Sequence, residues 1–469
     1  MKIKILIISF LVSFFNSTSE KEFSYALPKY YKLKSTLSLK IANQKTLHLA
    51  VAKNKNSSEY NLIPFFMNKE GKVNKLSTLS FKDEPELVSF HIVGNQLTLI
   101  NYQNDQLIID DLAVDGTSSK RKIIEDTDKP KNIITEAHET LFLKKNEKEK
   151  NIQVTRVSNS ENINELNFKI PSNLENSFDR IFDSKLQIIN TEEFVKNGSI
   201  SNFQAYYKDD KINLIFNEDE KDQNISLIAI DLQGENHFKL MNFKTPEMEK
   251  LKNSNSYFKN NKLFVINSGK DDIQLNVFNA EKENLLKNLS LKKNLSHLAK
   301  NKEDLEDFID NARKSKNKPT VTINETKNGK LAVRMDYVNK NSYHYYDFWW
   351  MQWQFHWQMQ MQHTQMMNQV PRSFGPNITS LEIDDLYYNE KDHSYTLILD
   401  ENLEIDKQKN KFETIYPIIE EEKYKKRIEE MEKNLKIENT SLSFLNTTYR
   451  LFYSNKNENK LYIKTFNID

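Results

Sequence analysis

Short runs of β-forming residues alternate with polar turns along most of the chain. The clearest unit runs from Glu86 to Ile124, where ELVSFHIVG leads through Gly94-Asn95 into NQLTLINY, then QLIIDDLAV, a turn at Asp115-Gly116, and KRKII. Runs of about four to eight β-branched and apolar residues, bounded by such turns, are typical of strands. Asn and Asp tolerate the left-handed backbone of tight hairpins and can replace the glycines that this chain largely lacks. The unit therefore predicts four antiparallel strands.

The same order of strands and turns recurs along the chain. Similar units span residues 202–243 and 256–291. Candidate turns between a first and a second strand fall near Asn43, Gly94, His138, Asp209, Asn260, Asn328, Lys391 and Asn446. Four segments do not fit the unit, namely 172–200, 299–318, 340–376 and 418–437. Without them, each unit takes about 43 residues, within the range of about 40–45 for a four-stranded propeller blade.

In this periodicity the chain resembles β-propellers. The resemblance implies an all-β fold, a β-propeller of seven or eight four-stranded blades with two short helical insertions. It rests on the repeat alone, because the chain has no GH…WD pair, kelch double glycine or S-x-D-x-G-x-T-W box. A pair of β-sandwiches or a solenoid could be built from strands at the same spacing and stays an alternative.

Two of the four insertions have the pattern of helices. Residues 302–316 place Leu305, Phe308, Ile309 and Ala312 on one face, and Pro319 follows the helix. Residues 420–436 are highly charged and carry an apolar stripe, which predicts a surface helix packed on its own domain.

Residues 1–19 have the pattern of a secretory signal peptide. Lys2 and Lys4 give a positive start, Ile5 to Phe15 form an apolar core, and polar residues 16–19 follow. A helix this short cannot cross a hydrocarbon layer about 30 Å thick, and no other stretch approaches the length of a spanning segment. The sequence predicts a signal peptide (1–19) followed by one propeller-like domain (20–469). The expected location is periplasmic, cell-surface or extracellular, with no transmembrane span after signal removal.

Charge and cysteine content narrow the function classes. The 67 basic and 66 acidic side chains are interleaved, so no basic face suggests nucleic acid. The absence of cysteine excludes disulfides, thiol nucleophiles and Cys-ligated metals. The chain also has no G-x-S-x-G, H-E-x-x-H, P-loop or dinucleotide motif. These observations favour a binding protein over an enzyme and predict no obligatory cofactor.

The stretch from Tyr343 to Pro376 differs from everything around it. It contains all four tryptophans, and between Trp349 and Met361 apolar residues alternate with Gln or His, broken only at Trp350. A period of two is typical of a strand with one apolar and one polar face. Thirteen residues would extend about 43 Å, whereas a usual strand spans about 17–20 Å. We expect the segment either to bend or to project from its blade as an arm.

Three interpretations of this segment stay open. Its aromatic face could fill the interior of a blade, or it could bind a protein or cell-surface partner as an exposed strand. Aromatic side chains bury large areas in an interface, so the aromatic residues of the segment are the candidate partner-binding residues. They are Trp349, Trp350, Trp353, Phe355 and Trp357. The third interpretation is copper binding within residues 351–367, because thioether and imidazole ligands favour that metal. Its candidate ligands are Met359, Met361, His363, Met366 and Met367.

The function that the sequence favours is an exported binding or scaffolding protein with this segment as its recognition element. A copper-binding envelope protein is one alternative. The other is a propeller-borne hydrolase acting on glycans or peptides, with two carboxylates supplied by different blades.

Overall fold

Seven sheets, antiparallel except for one pair of strands, follow one another along the described part of the chain. The computed structural model describes residues 22–467 apart from 42–43, 185, 190, 192–200, 218–222, 235–236, 296–301, 315–316, 340–393, 407–413, 416–427, 429, 435, 446 and 456. The strand that begins the described chain is β1 (Glu22–Ala26). Blade 1 contains β2 (Tyr31–Ile41), β3 (Lys45–Asn54), β4 (Tyr60–Met67), β5 (Val73–Lys75) and β6 (Leu79–Phe81). Blade 2 contains β7 (Glu86–Val93), β8 (Gln96–Gln103), β9 (Gln106–Ala113) and β10 (Ser119–Ile124).

The next three sheets repeat this order. Blade 3 contains β11 (Asn132–Thr135), β12 (Thr140–Asn146), β13 (Asn151–Val157) and β14 (Ile163–Lys169). Blade 4 contains β15 (Gln187–Ile188), which is parallel to its neighbour, then β16 (Phe203–Lys208), β17 (Lys211–Phe216), β18 (Asn224–Asp231) and β19 (Phe238–Lys244). Blade 5 contains β20 (Asn253–Lys259), β21 (Lys262–Ser268), β22 (Ile273–Asn279) and β23 (Asn284–Ser290).

The last two sheets depart from the regular unit. Blade 6 contains three strands among the described residues, β24 (Asn317–Glu325), β25 (Leu331–Asn339) and β26 (Ser394–Leu399). Blade 7 contains β27 (Ile437–Phe444), β28 (Thr448–Asn455) and β29 (Lys460–Asn467). Its fourth strand is β1, which pairs with β29 from Glu22↔Lys464 to Ala26↔Lys460. Strands from both ends of the described chain therefore share one sheet and close the seven blades into a ring.

The prediction of an all-β propeller of seven or eight blades is confirmed, with seven blades in the described part of the chain. Seven of the eight predicted first turns fall between a first and a second strand of a blade. Asn43 and Asn446, which belong to two of these turns, lie outside the described residues, and so does the eighth, at Lys391. The turn residues have the expected backbone: Asn260 and Asn261 have φ of 50° and 55°, and Asp209 and Asp210 have φ of 51° and 57°. Asn and Asp thus provide the left-handed turns that glycine often provides elsewhere.

Blades pack face to face, so their middle strands are buried on both sides. β21 (KLFVINS) is buried over six of its seven residues, whereas the outer strand β19 (FKLMNFK) exposes most of its positions. This explains why many predicted strands have continuous apolar runs rather than alternation. Apolar clusters fill the spaces between blades, for example where Phe243 of blade 4 contacts Phe278 of blade 5 with ring centroids 5.5 Å apart.

The first strand of a blade has one edge toward the axis of the ring, and in blades 5 and 6 polar side chains of the preceding blade seal this edge. Gln204 of blade 4 donates to the carbonyl of Ser256 on β20 at 3.1 Å. Asn255 of blade 5 donates to the carbonyl of Pro319 on β24 at 3.0 Å. An unsatisfied buried carbonyl is costly, so these side chains satisfy the backbone and join the blades at once.

Helical residues occupy three of the insertions, and two of these helices were predicted. The predicted helix at 302–316 is present as α3 (Lys302–Ala312), preceded by a short α2 (Leu291–Leu295). Of the predicted helix at 420–436, the described residues 430–434 are helical. The expectation of two helical insertions was incomplete, because the segment 172–200 contains a 3₁₀ turn (Ser172–Leu174) and α1 (Glu175–Asp183). Its buried Phe178 and Ile181 at i,i+3 are the signal that could have identified it.

The sealing contacts can be tested at Asn255, whose side chain also accepts from the Ser256 amide at 2.8 Å. Asn255→Ala should lower the free energy of unfolding by about 1–3 kcal/mol, because the Pro319 carbonyl loses its donor in a buried site. Asn242→Ala is the matched control, since Asn242 makes an exposed hydrogen bond with Ser226 on an outer strand. Its effect should stay within about 0.5 kcal/mol. Urea denaturation measures both, and equal losses would contradict the sealing role.

Candidate functional site

The first strands of the blades are parallel to one another, so the ring has two distinct ends. Asn253 and Asn255 of β20 contact the carbonyls of Asn317 and Pro319 of β24, an offset of 64 residues in both cases. The end at which first strands begin also carries the turns between second and third strands. We call it the insertion end.

The described strands beside all four long insertions meet them at the insertion end. Three lead into first strands: 172–200 precedes β16, 299–318 precedes β24, and 418–437 precedes β27. The fourth, 340–376, follows the second strand of blade 6. Turns at the opposite end are short, for example the two-residue turn at Asn260-Asn261. The insertion end is therefore where this chain departs most from a minimal ring.

Helix α3 packs over the point where the chain leaves blade 6 for the segment 340–393. The buried Phe308 lies 5.9 Å from the ring of Tyr337 on β25 and 6.4 Å from the ring of Tyr395 on β26. Those two tyrosines lie close to the last and first described residues on either side of the segment, Asn339 and Ser394. One aromatic cluster thus fixes both stems of the insertion.

A cleft of about 570 Å³ lies beside this cluster, between α3 and the loops of blade 5. Four cationic and two anionic side chains line it, together with Asn311: Lys252, Lys270, Arg313, Lys314, Asp307 and Asp310. Arg313 holds the cleft together, because it donates to the Lys270 carbonyl at 2.5 Å and pairs with Asp310 at 2.8 Å. Lys252 donates to the Arg313 carbonyl at 3.4 Å. Most of these cationic side chains bind carbonyl or carboxylate groups of the cleft itself. The cleft therefore adds only a mildly basic surface to the insertion end.

The residues that the sequence singled out for partner or copper binding lie outside the described residues. This applies to Trp349, Trp350, Trp353, Phe355 and Trp357, and equally to Met359, Met361, His363, Met366 and Met367. The signal-peptide segment 1–19 also lies outside them. These assignments stay predictions. What the structure adds is the place of the 340–393 segment in the fold, between β25 and β26 at the insertion end.

The hydrolase alternative requires two carboxylates from different blades, and one such pair is present. Glu139 of blade 3 and Asp210 of blade 4 both contact the Tyr207 hydroxyl, at 2.9 and 3.1 Å. Arg156 pairs with both carboxylates at 2.9 Å. Sequence reasoning did not bring these four residues together, because they come from separate turns and strands of two blades.

The geometry of this cluster is that of a contact between blades. Glu139 is only 2% exposed, so a substrate has no access to its carboxylate. Burial, followed by the hydrogen bond to Glu139, raises the pKa of Tyr207, which makes the phenol a poorer nucleophile. Arg156 pairs with both acids, so the two carboxylates are held in one ion-pair cluster between the blades. The cluster therefore supports packing of blade 3 on blade 4 and gives no support to hydrolysis.

Two further properties concern only the part of the chain that the structure describes. In that part of the chain, no group of three or more His, Asp or Glu side chains is arranged to hold a metal ion. None of the helices there has the length and apolar character needed to cross a membrane.

Comparisons with known proteins show only distant structural likenesses. No family model matches the chain, and no curated protein does. The β-propeller domain of the Trilobed protease from Pyrococcus furiosus is 8% identical, over 94% of this chain and 99% of that one, with a TM-score of 0.31. That domain has an open velcro topology, whereas here β1 pairs with β29. An uncharacterized protein from Listeria monocytogenes is 9% identical, over 58% and 69% of the two chains, with a TM-score of 0.28. Prolyl oligopeptidase B from Galerina marginata is 12% identical, over 63% and 37%, with a TM-score of 0.26. At such TM-scores these likenesses carry no argument, and the fold rests on the sheets described above.

The structural role of the two-carboxylate cluster can be tested at its tyrosine. Tyr207→Phe should lower the free energy of unfolding by about 1.5–3 kcal/mol, because it removes a hydrogen bond to a buried charged acceptor. Tyr462→Phe is the control, since Tyr462 donates to the exposed Glu458 at 2.5 Å, and its loss should be within about 0.5 kcal/mol. Thermal denaturation compares the two. A Tyr207→Phe protein as stable as the wild type would mean that the cluster does not hold the blades.

Proposed function

We propose that this chain is an exported binding or scaffolding protein that recognises a protein or cell-surface partner with the insertion end of its ring. The aromatic segment 343–376 is the main recognition element in this proposal. The observation that carries it is the placement of all four insertions at one end of an otherwise minimal propeller.

The scaffold is suited to presenting a segment rather than burying it. β25 pairs with β24 along its whole length, from Glu325↔Leu331 to Asn317↔Asn339. Phe308, Tyr337 and Tyr395 brace the stems beneath the segment. Aromatic side chains supply large contact areas to a partner at low conformational cost, which is why Trp and Tyr dominate the binding energy of many interfaces.

Export is the second part of the proposal. It is supported by the positive start, apolar core and polar exit of residues 1–19. Cleavage near residue 19 would be seen as a mature N-terminus by mass spectrometry of the protein recovered from its native cells. An uncleaved N-terminus on soluble cytoplasmic protein would contradict export.

The alternation of the segment provides a matched pair of variants. Replacing Trp349, Trp353 and Trp357 by Ala should abolish partner capture, with a loss of at least 100-fold in affinity, because interface tryptophans commonly contribute about 2 kcal/mol or more each. Replacing Gln352, Gln354 and Gln358 by Ala removes the interleaved residues of the same stretch and should change capture by less than fivefold.

Cross-linking in native envelope preparations, followed by mass spectrometry, identifies the partner, and its affinity is then measured with purified components. Equal losses in the two variants, with unchanged melting temperatures, would show that the tryptophan face does not mediate recognition. Loss of folding in the tryptophan variant alone would show that these rings belong to the core of a blade.

A further inference from the structure

The seam between the last and first blades contains a buried chain of polar contacts. Arg450 of β28 in blade 7 donates to the Thr46 hydroxyl of blade 1 at 2.6 Å. Thr46 contacts His48 Nε2 at 2.8 Å, and His48 Nδ1 contacts the Ser38 hydroxyl at 2.8 Å. Ser38 donates to the Ser443 hydroxyl of blade 7 at 2.9 Å. This series of hydrogen bonds begins and ends in blade 7 and passes through blade 1 in between, so it crosses the seam between the two blades twice.

The positions of the protons in this series of hydrogen bonds follow from the groups at its two ends, Arg450 and Ser443. A guanidinium can only donate, so Thr46 accepts from Arg450 and is free to donate its own proton to His48 Nε2. Ser38 uses its proton on Ser443 and therefore accepts from His48 Nδ1. The imidazole is thereby neutral with its proton on Nδ1. Every hydrogen bond runs in one direction, from Arg450 through Thr46, His48 and Ser38 to Ser443.

A proton added to His48 Nε2 would break this order. Thr46 would then face two donors, and two cations would share one buried hydroxyl. No carboxylate among the described residues pairs with Arg450, whose other acceptors are the carbonyls of Met67 and Asn68 at 3.3 and 3.0 Å. His48 is fully buried and Arg450 is 3% exposed, so water cannot screen the repulsion.

We propose that His48 is an acid-sensitive lock on the closure of the ring: its neutral imidazole orients the Thr46 and Ser38 hydroxyls that join blade 1 to blade 7, and its protonation opens the seam between them. Among the described residues, the other buried histidine lies at the seam between blades 2 and 3 and is arranged differently. His91 of blade 2 contacts the Thr140 hydroxyl and the Ser158 carbonyl of blade 3, with no cation in the contact. The lock is therefore specific to the seam where the two ends of the chain meet.

The groups around His48 define the direction of the pH effect. Arg450 is the charged group that faces the imidazole. The neighbouring strands β2, β4 and β27 contribute the uncharged residues Ser38, Phe65 and Ser443. The ring centroid of Phe452 on β28 lies 5.4 Å from that of His48. Burial, followed by the charge of Arg450, holds the pKa of His48 well below its ordinary value. In an open seam the imidazole returns to a pKa of about 6.5. Because the open state then binds more protons, closure is stable above this pH and weakens as the pH falls through it.

Amide hydrogen exchange with mass spectrometry tests the lock in the full-length protein. Peptides from β2, β3, β27 and β28 report opening of the seam, after correction for the intrinsic pH dependence of exchange. Between pH 7 and pH 5 the opening constant should rise by about 25-fold in the wild type, as expected for one proton bound with a pKa of about 6.5 only in the open state. His48→Gln can still donate to Ser38 and accept from Thr46, and its rise should be less than threefold. His91→Gln is the matched control and should keep the full rise.

Exchange at the imidazole C2 carbon, measured on the wild type, gives a second reading that does not depend on the variants folding. His48 should not titrate down to pH 5 until the seam peptides also open. Titration near pH 6.5 with the seam closed would overturn the proposal, as would a seam whose opening does not change with pH. A His48→Gln protein with the wild-type pH dependence would overturn it as well.

Discussion

The free edge of each first strand is the constraint around which the ring is built. A β-sheet edge left without partners exposes backbone groups that must be satisfied, and seven such edges converge on the axis of this molecule. The described residues use three solutions. Side chains of Gln204, Asn253 and Asn255 reach the carbonyls of the next blade. A parallel strand, β15, covers the edge of β16. At the far end of β24, the Ile415 amide donates to the Glu325 carbonyl at 2.7 Å.

These contacts explain how asparagine, which is abundant in this chain, can be buried in the ring. Asn is abundant throughout the chain, yet β20 (NSNSYFK) is buried over its entire length, including two asparagines and two serines. A buried amide is costly unless it is hydrogen-bonded, and here it satisfies a backbone group of the neighbouring blade. The ring is thus joined by polar contacts near the axis and by apolar clusters further out. Closure through β1 and the His48 hydrogen bonds completes it.

Local features of the sequence were enough to predict the blades, and long-range contacts were not. Turns such as Asp209-Asp210 depend on residues that are adjacent in sequence, and their left-handed backbone follows from the residue type. The partners of Arg450, in contrast, lie about 380 to 400 positions away, and nothing local marks this arginine as buried. The same holds for the cleft around Arg313 and for the joining of Glu139 to Asp210. Helix α1 was within reach, since Phe178, Ile181 and Phe182 have helical spacing, but the helix is short and lacks a side-chain cap.

The central claim is that the ring is a complete framework without the segment that follows β25. The most direct test replaces residues 340–390 by an Asn-Gly turn, which continues the Asp336↔Ser394 register to a hairpin closed by Asn339 and Lys391. Calorimetry of this protein should show one cooperative transition within about 5 °C of the full-length value, as expected for a change of about 1 kcal/mol or less in a domain of this size. Loss of the cooperative transition would show that the tryptophan-rich segment belongs to the core, and would contradict the account.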